Sequence, residues 1–183
     1  MTENIESNKE LAQVQQNSTY NLPAWRLNEI TAIAVKMLCD AKYYADGFDY
    51  RKMITDKGIV IKGYSEFVPE NLEKMKSYSK SFWNEGLCLV IPSENKDQKE
   101  VKLICYNDSY THGEELVIIL HEYGHISLKH TEQSINGEME ATCFAISMVI
   151  MLSLEQQFHF ARTLAENGAI NQLIEAVKIK EAA

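Results

Sequence analysis

Apolar residues recur at three- and four-residue steps through PAWRLNEITAIAVKMLCDAKYYA. Leu27, Ile30, Ala34, Met37, Leu38 and Ala41 fall on one face of a predicted amphipathic helix. Pro23 suits its first turn, and ADGFD ends it. FDYRKMITDKG predicts a short helix stopped by Gly58. The period then shortens. GIVIKGYSEFV is β-branched and aromatic, the pattern of a strand. PENLEKMKSYSKSFWNEG is polar and ambiguous, with a helix ending at Gly86 as one reading. LCLVIP and VKLICY, separated by the charged SENKDQKE, predict a hairpin with a solvated loop.

Helical periodicity then returns. Thr111 and Glu114 form a T-x-x-E capping box ahead of the apolar run Leu116, Val117, Ile118, Ile119, Leu120. A helix apolar nearly all round is expected at the centre of the fold. After the polar turn TEQSINGE, a long helix is predicted over EMEATCFAISMVIMLSLEQQFHFARTLAEN, with a break near Leu152 to Leu154. AINQLIEAVKIKEAA predicts a last helix. Residues 1–22 lack a sustained apolar period and read as a flexible tail, leaving 23–183 as a single domain. Helices, then strands, then helices give an α+β class: a small, mostly antiparallel sheet packed against a helical bundle.

Composition narrows the function classes. At 183 residues and 45% hydrophobic content, the chain can bury one ordinary core. Its net charge is -8, from 26 acidic and 18 basic residues, with no basic cluster. That argues against direct nucleic-acid binding and against adhesion to an anionic membrane surface. No stretch is expected to approach the roughly 18 apolar residues of a membrane helix; the longest, ATCFAISMVIML, is too short and carries Thr142, Cys143 and Ser147. The start, MTENIESNKE, lacks the basic and apolar regions of a signal peptide. Cys39, Cys88, Cys105 and Cys143 are widely spaced in apolar surroundings, which suits reduced thiols and a cytoplasmic location.

The chemistry concentrates in HEYGH. His121 and His125 stand one helical turn apart on one face, where two neutral imidazoles can reach one Zn²⁺. Glu122 is rotated about 100° from His121, flanking such a metal as a general base would. Chance yields H-E-x-x-H in on the order of one sequence in a hundred of this composition. The bland alternative is a pair of core histidines satisfied by backbone or carboxylate partners. A catalytic zinc needs a third protein ligand. Glu138 and Glu140 both open the next helix, where carboxylates also compensate the helix dipole. They lie about 200° apart around that helix, so they cannot serve equally.

HEYGH followed by EMEATCFA, an E-x-E-A-x-x-F-A pattern, resembles the ImmA/IrrE family of zinc metallopeptidases over roughly Leu27 to Leu152. The resemblance implies a zincin-like, gluzincin-type fold. It implies that His121, His125 and Glu138 bind zinc, with Glu140 the fallback, and that Glu122 is the general base. It further implies a narrow protein substrate, a helix-turn-helix transcriptional repressor. The chain shows no such segment of its own, and its acidity fits a basic partner. The family often carries Asn or Asp where Thr142 stands, so no role beside the metal is expected of Thr142. A competing class is a non-catalytic, zinc-containing binding module that sequesters a regulatory protein. His/His/Glu suits several divalent ions, zinc being the preferred reading.

Lesser expectations concern the surroundings. Tyr123 is expected to pack away from the metal, and His130 to lie off the ligand face. Tyr110 or His112 is a candidate oxyanion donor, with a turn or cap role as the plainer reading. His159 is expected near the surface, and Trp25 and Trp83 as packing anchors. An extended substrate is expected to pair with the sheet at VKLICY, around Leu103.

Overall fold

The computed structural model describes residues 21–79, 81–92 and 100–166. The expected tail, apart from Asn21 and Leu22, lies outside them. So do the expected last helix and most of the loop between LCLVIP and VKLICY. The described elements run α1 (Ala24–Asp40), α2 (Tyr50–Thr55), β1 (Ile59–Gly63), α3 (Pro69–Lys76), β2 (Gly86–Ile91), β3 (Val101–Tyr106), α4 (His112–Ser127) and α5 (Ile135–Glu166). This is an α+β arrangement with one small sheet.

The sheet order is β1-β3-β2. β2 and β3 form the expected antiparallel pair, while β1 lies parallel to β3 on its other side. The sheet is therefore mixed, not mostly antiparallel. The long connection through α3 carries the chain across, so β2 and β1 flank β3 in opposite senses. Leu103 pairs with both Val60 and Leu89, which makes β3 the central strand. Substrate pairing at VKLICY is thereby ruled out, since β3 has no open side. Among the described residues, the outer side of β2 is the free edge nearest α4.

One face of the sheet meets the helices. Ile30, Ala34 and Leu38 of α1, Ile104 of β3, Ile119 and Leu120 of α4, and Phe144 and Met148 of α5 are fully buried in one core. Leu27, counted on the apolar face of α1, is instead exposed. Leu87, Leu89 and Cys105 form a smaller cluster on the other face, covered by Phe67, Leu72 and Met75.

α4 begins as the capping box predicts, with the Glu114 carboxylate accepting from the Thr111 N–H at 2.9 Å. It ends in a Schellman turn. Lys129 takes the left-handed conformation (φ 60°), its N–H bonds to the Ile126 carbonyl, and the His130 N–H bonds to the His125 carbonyl. α5 starts three residues earlier than predicted. Ser134 caps it, its hydroxyl accepting from the Gly137 N–H at 3.0 Å. The helix continues through Leu152–Leu154 without the expected break. By length and composition the stretch Ile135–Thr163 is apolar enough to cross a membrane, contrary to the expectation that no stretch approaches that length. Ala141, Phe144, Ala145 and Met148 on this stretch are core residues. Farther along, Ile150, Leu154, Phe158 and Phe160 are exposed.

The central position of β3 gives a direct expectation. Leu103→Pro removes a ladder hydrogen bond in a strand paired on both sides, at a cost of at least about 1–3 kcal/mol. The variant should lose cooperative thermal unfolding or melt well below wild type. An unchanged melting temperature would contradict the sheet order.

Candidate metal centre

α4 presents His121 and His125 one turn apart, and both are buried, as is Glu122. α5 crosses α4 closely at Gly124. A Cβ there would lie 3.1 Å from the Ala141 Cα and 3.2 Å from its carbonyl oxygen. This approach brings the first turn of α5 over the histidine pair. Glu138 Oε2 then sits 3.1 Å from His121 Nε2, and Glu138 Oε1 sits 3.6 Å from His125 Nε2. The two Nε2 atoms are 3.1 Å apart. The three side chains form a cluster able to hold a metal ion, with ligand atoms within 4.8 Å of one another.

Glu140 points elsewhere. Its carboxylate is gripped by the Arg26 guanidinium, with Nε at 2.8 Å, and approached by His130 Nε2 at 3.2 Å. Of the two candidate carboxylates, Glu138 is the one that meets the histidines.

The donor set fits a divalent ion. Bonds of about 2.0–2.1 Å in a tetrahedral site separate neighbouring ligands by roughly 3.3–3.4 Å; the two Nε2 atoms are 3.1 Å apart and lie 3.1 and 3.6 Å from different oxygens of Glu138, near that value. The outward-facing imidazole nitrogens are both occupied. His121 Nδ1 meets Thr142 Oγ1 at 3.3 Å, and His125 Nδ1 meets His130 Nδ1 at 2.9 Å. Such contacts fix tautomers that aim the Nε2 lone pairs at the shared point. Thr142 therefore touches a candidate ligand, contrary to expectation.

A short segment ahead of β2 covers the cluster. Trp83 stacks on His121 with ring centroids 4.1 Å apart and planes 6° from parallel. The Phe82 N–H donates to Glu138 Oε1 at 2.7 Å. Ser81 is buried beside Glu122. Trp83 is thus part of the site and not a remote packing anchor. Trp25, 68% exposed, is no anchor at all. This covering segment has no periodic signature in the sequence. The helix expected to run through it to Gly86, α3, ends at Lys76.

Glu122 stands beside the cluster without joining it. Neither of its carboxylate oxygens has a hydrogen bond of ordinary geometry. Burial pushes its pKa up to about 8, against the opposing pull of the nearby Cys88 thiol and Ser81 hydroxyl. β2 lies close against it: a Cβ on Gly86 would come within 2.8 Å of Glu122 Oε1 and 2.7 Å of Ile118 Cγ2. Glycine is needed there for strand and helix to approach. Burial pushes Glu138 up as well, but His121, the Phe82 N–H and His125 outweigh it and leave the pKa lowered. Burial and the neighbouring His121 lower the His125 pKa, so His125 resists taking a second proton.

The other expected residues separate. Tyr123 packs edge-on against Phe144, away from the cluster. Tyr110 lines a groove with Trp83, Val117 and Ile118. The His112 side chain is 82% exposed and faces Glu115. His159 is exposed near Asp46. His130, expected off the ligand face, is turned back by the left-handed Lys129 to touch His125. No glycine marked that turn in the sequence.

Comparison with protein-family models, curated proteins and solved structures finds no match to this chain. Fold and site together define an α+β protein with a His-His-Glu cluster, its histidines buried and its glutamate partly so, able to hold a metal ion.

The strained carboxyl of Glu122 can be read by pH. In chelator-treated protein the folded state holds this proton more tightly than the unfolded state. Stability from this group should fall as pH rises from about 4.5 to about 8, then level off. Glu122→Gln has no such proton. Its melting temperature relative to wild type should rise across that window. A constant difference between the two proteins would show that Glu122 is not shifted.

Proposed function

We propose that this protein is a zinc-dependent metalloendopeptidase that hydrolyses a peptide bond in a protein substrate. The observation that carries this reading is a buried carboxylate, Glu122, fixed beside three converging metal donors, His121, His125 and Glu138. A divalent ion held by His121, His125 and Glu138 would supply Lewis acidity to a substrate carbonyl and to a water. Glu122 is the proton carrier. Its carboxylate accepts the proton of the attacking water as the new C–O bond forms, then delivers it to the leaving amine as the C–N bond breaks. Burial raises the Glu122 pKa in the metal-free protein, and a divalent ion beside it would favour the ionised form that accepts the proton.

The free edge of β2, beside Glu122 through Gly86, offers an extended segment a strand to pair with. His121 and Glu122 have no solvent exposure and the Ser81–Trp83 segment lies over them, so movement of that segment would open a path for a peptide. The resemblance of HEYGH…EMEATCFA to the ImmA/IrrE metallopeptidases supports a zincin-like fold and a helix-turn-helix repressor as substrate. The charge of -8 favours a basic protein partner over DNA. None of the four cysteines, all among the described residues, forms a disulfide, which suits the cytoplasm.

The same burial favours a second reading, in which the centre is structural and the protein sequesters its partner without cutting it. Glu122→Gln separates the two. The variant should retain one equivalent of zinc by elemental analysis. Its cleavage of a co-purified helix-turn-helix repressor should fall about 10²–10⁴-fold. Cleavage at the wild-type rate would refute the role of Glu122. Repressor that binds the wild-type protein intact, with or without chelator, would establish the sequestering reading.

A further inference from the structure

We infer that His130, locked by Glu140 and Arg26, is a positioning residue that sets the tautomer of His125 and so tightens metal binding. The inference rests on reading His121, His125 and Glu138 as metal ligands. It adds a chain of three residues that reaches from the cluster to the first turn of α1.

The chain can be followed atom by atom. For His125 Nε2 to offer a lone pair to the cluster, its proton must sit on Nδ1. That N–H needs an acceptor, because His125 is 1% exposed. The atom facing it is His130 Nδ1, at 2.9 Å. His130 Nδ1 accepts only if the His130 proton is on Nε2, and Nε2 faces Glu140 Oε2 at 3.2 Å. A carboxylate only accepts when ionised, so it holds the His130 proton on that side. Arg26 grips the same carboxylate through Nε and Nη2, setting a permanent positive charge against it. Each link therefore dictates the proton position of the next.

The backbone is built to bring His130 there. A continuing helix would carry residue 130 away from the ligand face. The Schellman turn, with non-glycine Lys129 in the left-handed region, reverses the chain and returns the His130 ring to His125. A left-handed conformation is unfavourable for a residue with a Cβ, and something must offset it. His130, Glu140 and Arg26 are only 11%, 15% and 22% exposed at their side chains, so water competes weakly with these bonds.

The test is zinc affinity of the full-length protein, measured by competition with a chromophoric chelator at one fixed pH. His130→Ala should bind zinc about 10–100-fold more weakly. His130→Gln, whose amide can accept from His125 and donate to Glu140, should recover most of that loss. Glu140→Ala should weaken binding in the same direction. Because both act through the one His125 proton, the double variant should bind no more weakly than His130→Ala alone. Melting curves of the metal-free variants establish that each is folded. Should His130→Ala not fold, His130→Gln and Glu140→Ala still carry the test. Wild-type affinity in Glu140→Ala, equal losses in His130→Ala and His130→Gln, or additive losses in the double variant would each overturn the inference. A wild-type protein that binds no zinc would overturn the metal-centre reading and this inference with it. Tight wild-type binding, unchanged in His130→Ala, would overturn this inference alone.

Discussion

The site depends on how closely two helices approach at one glycine. α5 lies on α4 with Ala141 backbone atoms 3.1–3.2 Å from where a Gly124 Cβ would be. Helices packed through ordinary side chains stand about 8–10 Å apart, whereas a glycine facing an alanine lets them come closer. That closeness lets the short Glu138 side chain span from α5 to both imidazoles of α4. Gly124 sits between His121 and His125 in the same motif. The residue that permits the approach and the residues that use it are therefore placed by one helical turn. α1 then packs on the outer side of α5, which sets Arg26 against Glu140.

Burial at this junction makes a demand that the protein atoms alone meet poorly. Two Nε2 atoms face each other at 3.1 Å with a carboxylate beside them. A proton could bridge one pair, but burial and the two neighbouring histidines depress the His125 pKa. A divalent cation satisfies all three donors at once. Glu122 sharpens the point. Its carboxyl is buried among apolar and weakly polar neighbours, and nothing in the core needs a titratable group there. Buried groups held at such cost to stability belong more often to chemistry than to folding.

What was legible in the sequence was whatever repeats or caps. The period of α1, the box at Thr111, the β2–β3 pair and the spacing of His121 and His125 all follow from local rules, and all appear in the structure. Choosing Glu138 over Glu140 rested on the pattern EMEATCFA. The structure adds its physical reason, a helix face at 138 and an arginine waiting for 140. Features set by distant chain were not legible. The parallel placement of β1 depends on where the α3 connection crosses. The return of His130 depends on Lys129 adopting a conformation that its residue type disfavours. The absence of a break at Leu152–Leu154 reflects a helix whose apolar run has no proline or glycine to interrupt it.

The covering segment was the least legible part, and it ties the site's order to its concealment. Ser81, Phe82 and Trp83 each meet a different member of the site: Glu122, Glu138 and His121. The Phe82 N–H holds Glu138 in its ionised form and fixes one carboxylate oxygen. Trp83 keeps the His121 ring from tilting and excludes water from its face. These contacts preorganise the donors. They also fill the space a substrate would need. Among the described residues the segment is also tied by a 3.1 Å bond from Gln133 to the Ser81 carbonyl and by local serine turns, while Phe82 is 55% exposed. A ligand that offered Glu138 and His121 equivalent contacts would compete for the same groups, so closing the site and occupying it are alternatives within one set of interactions.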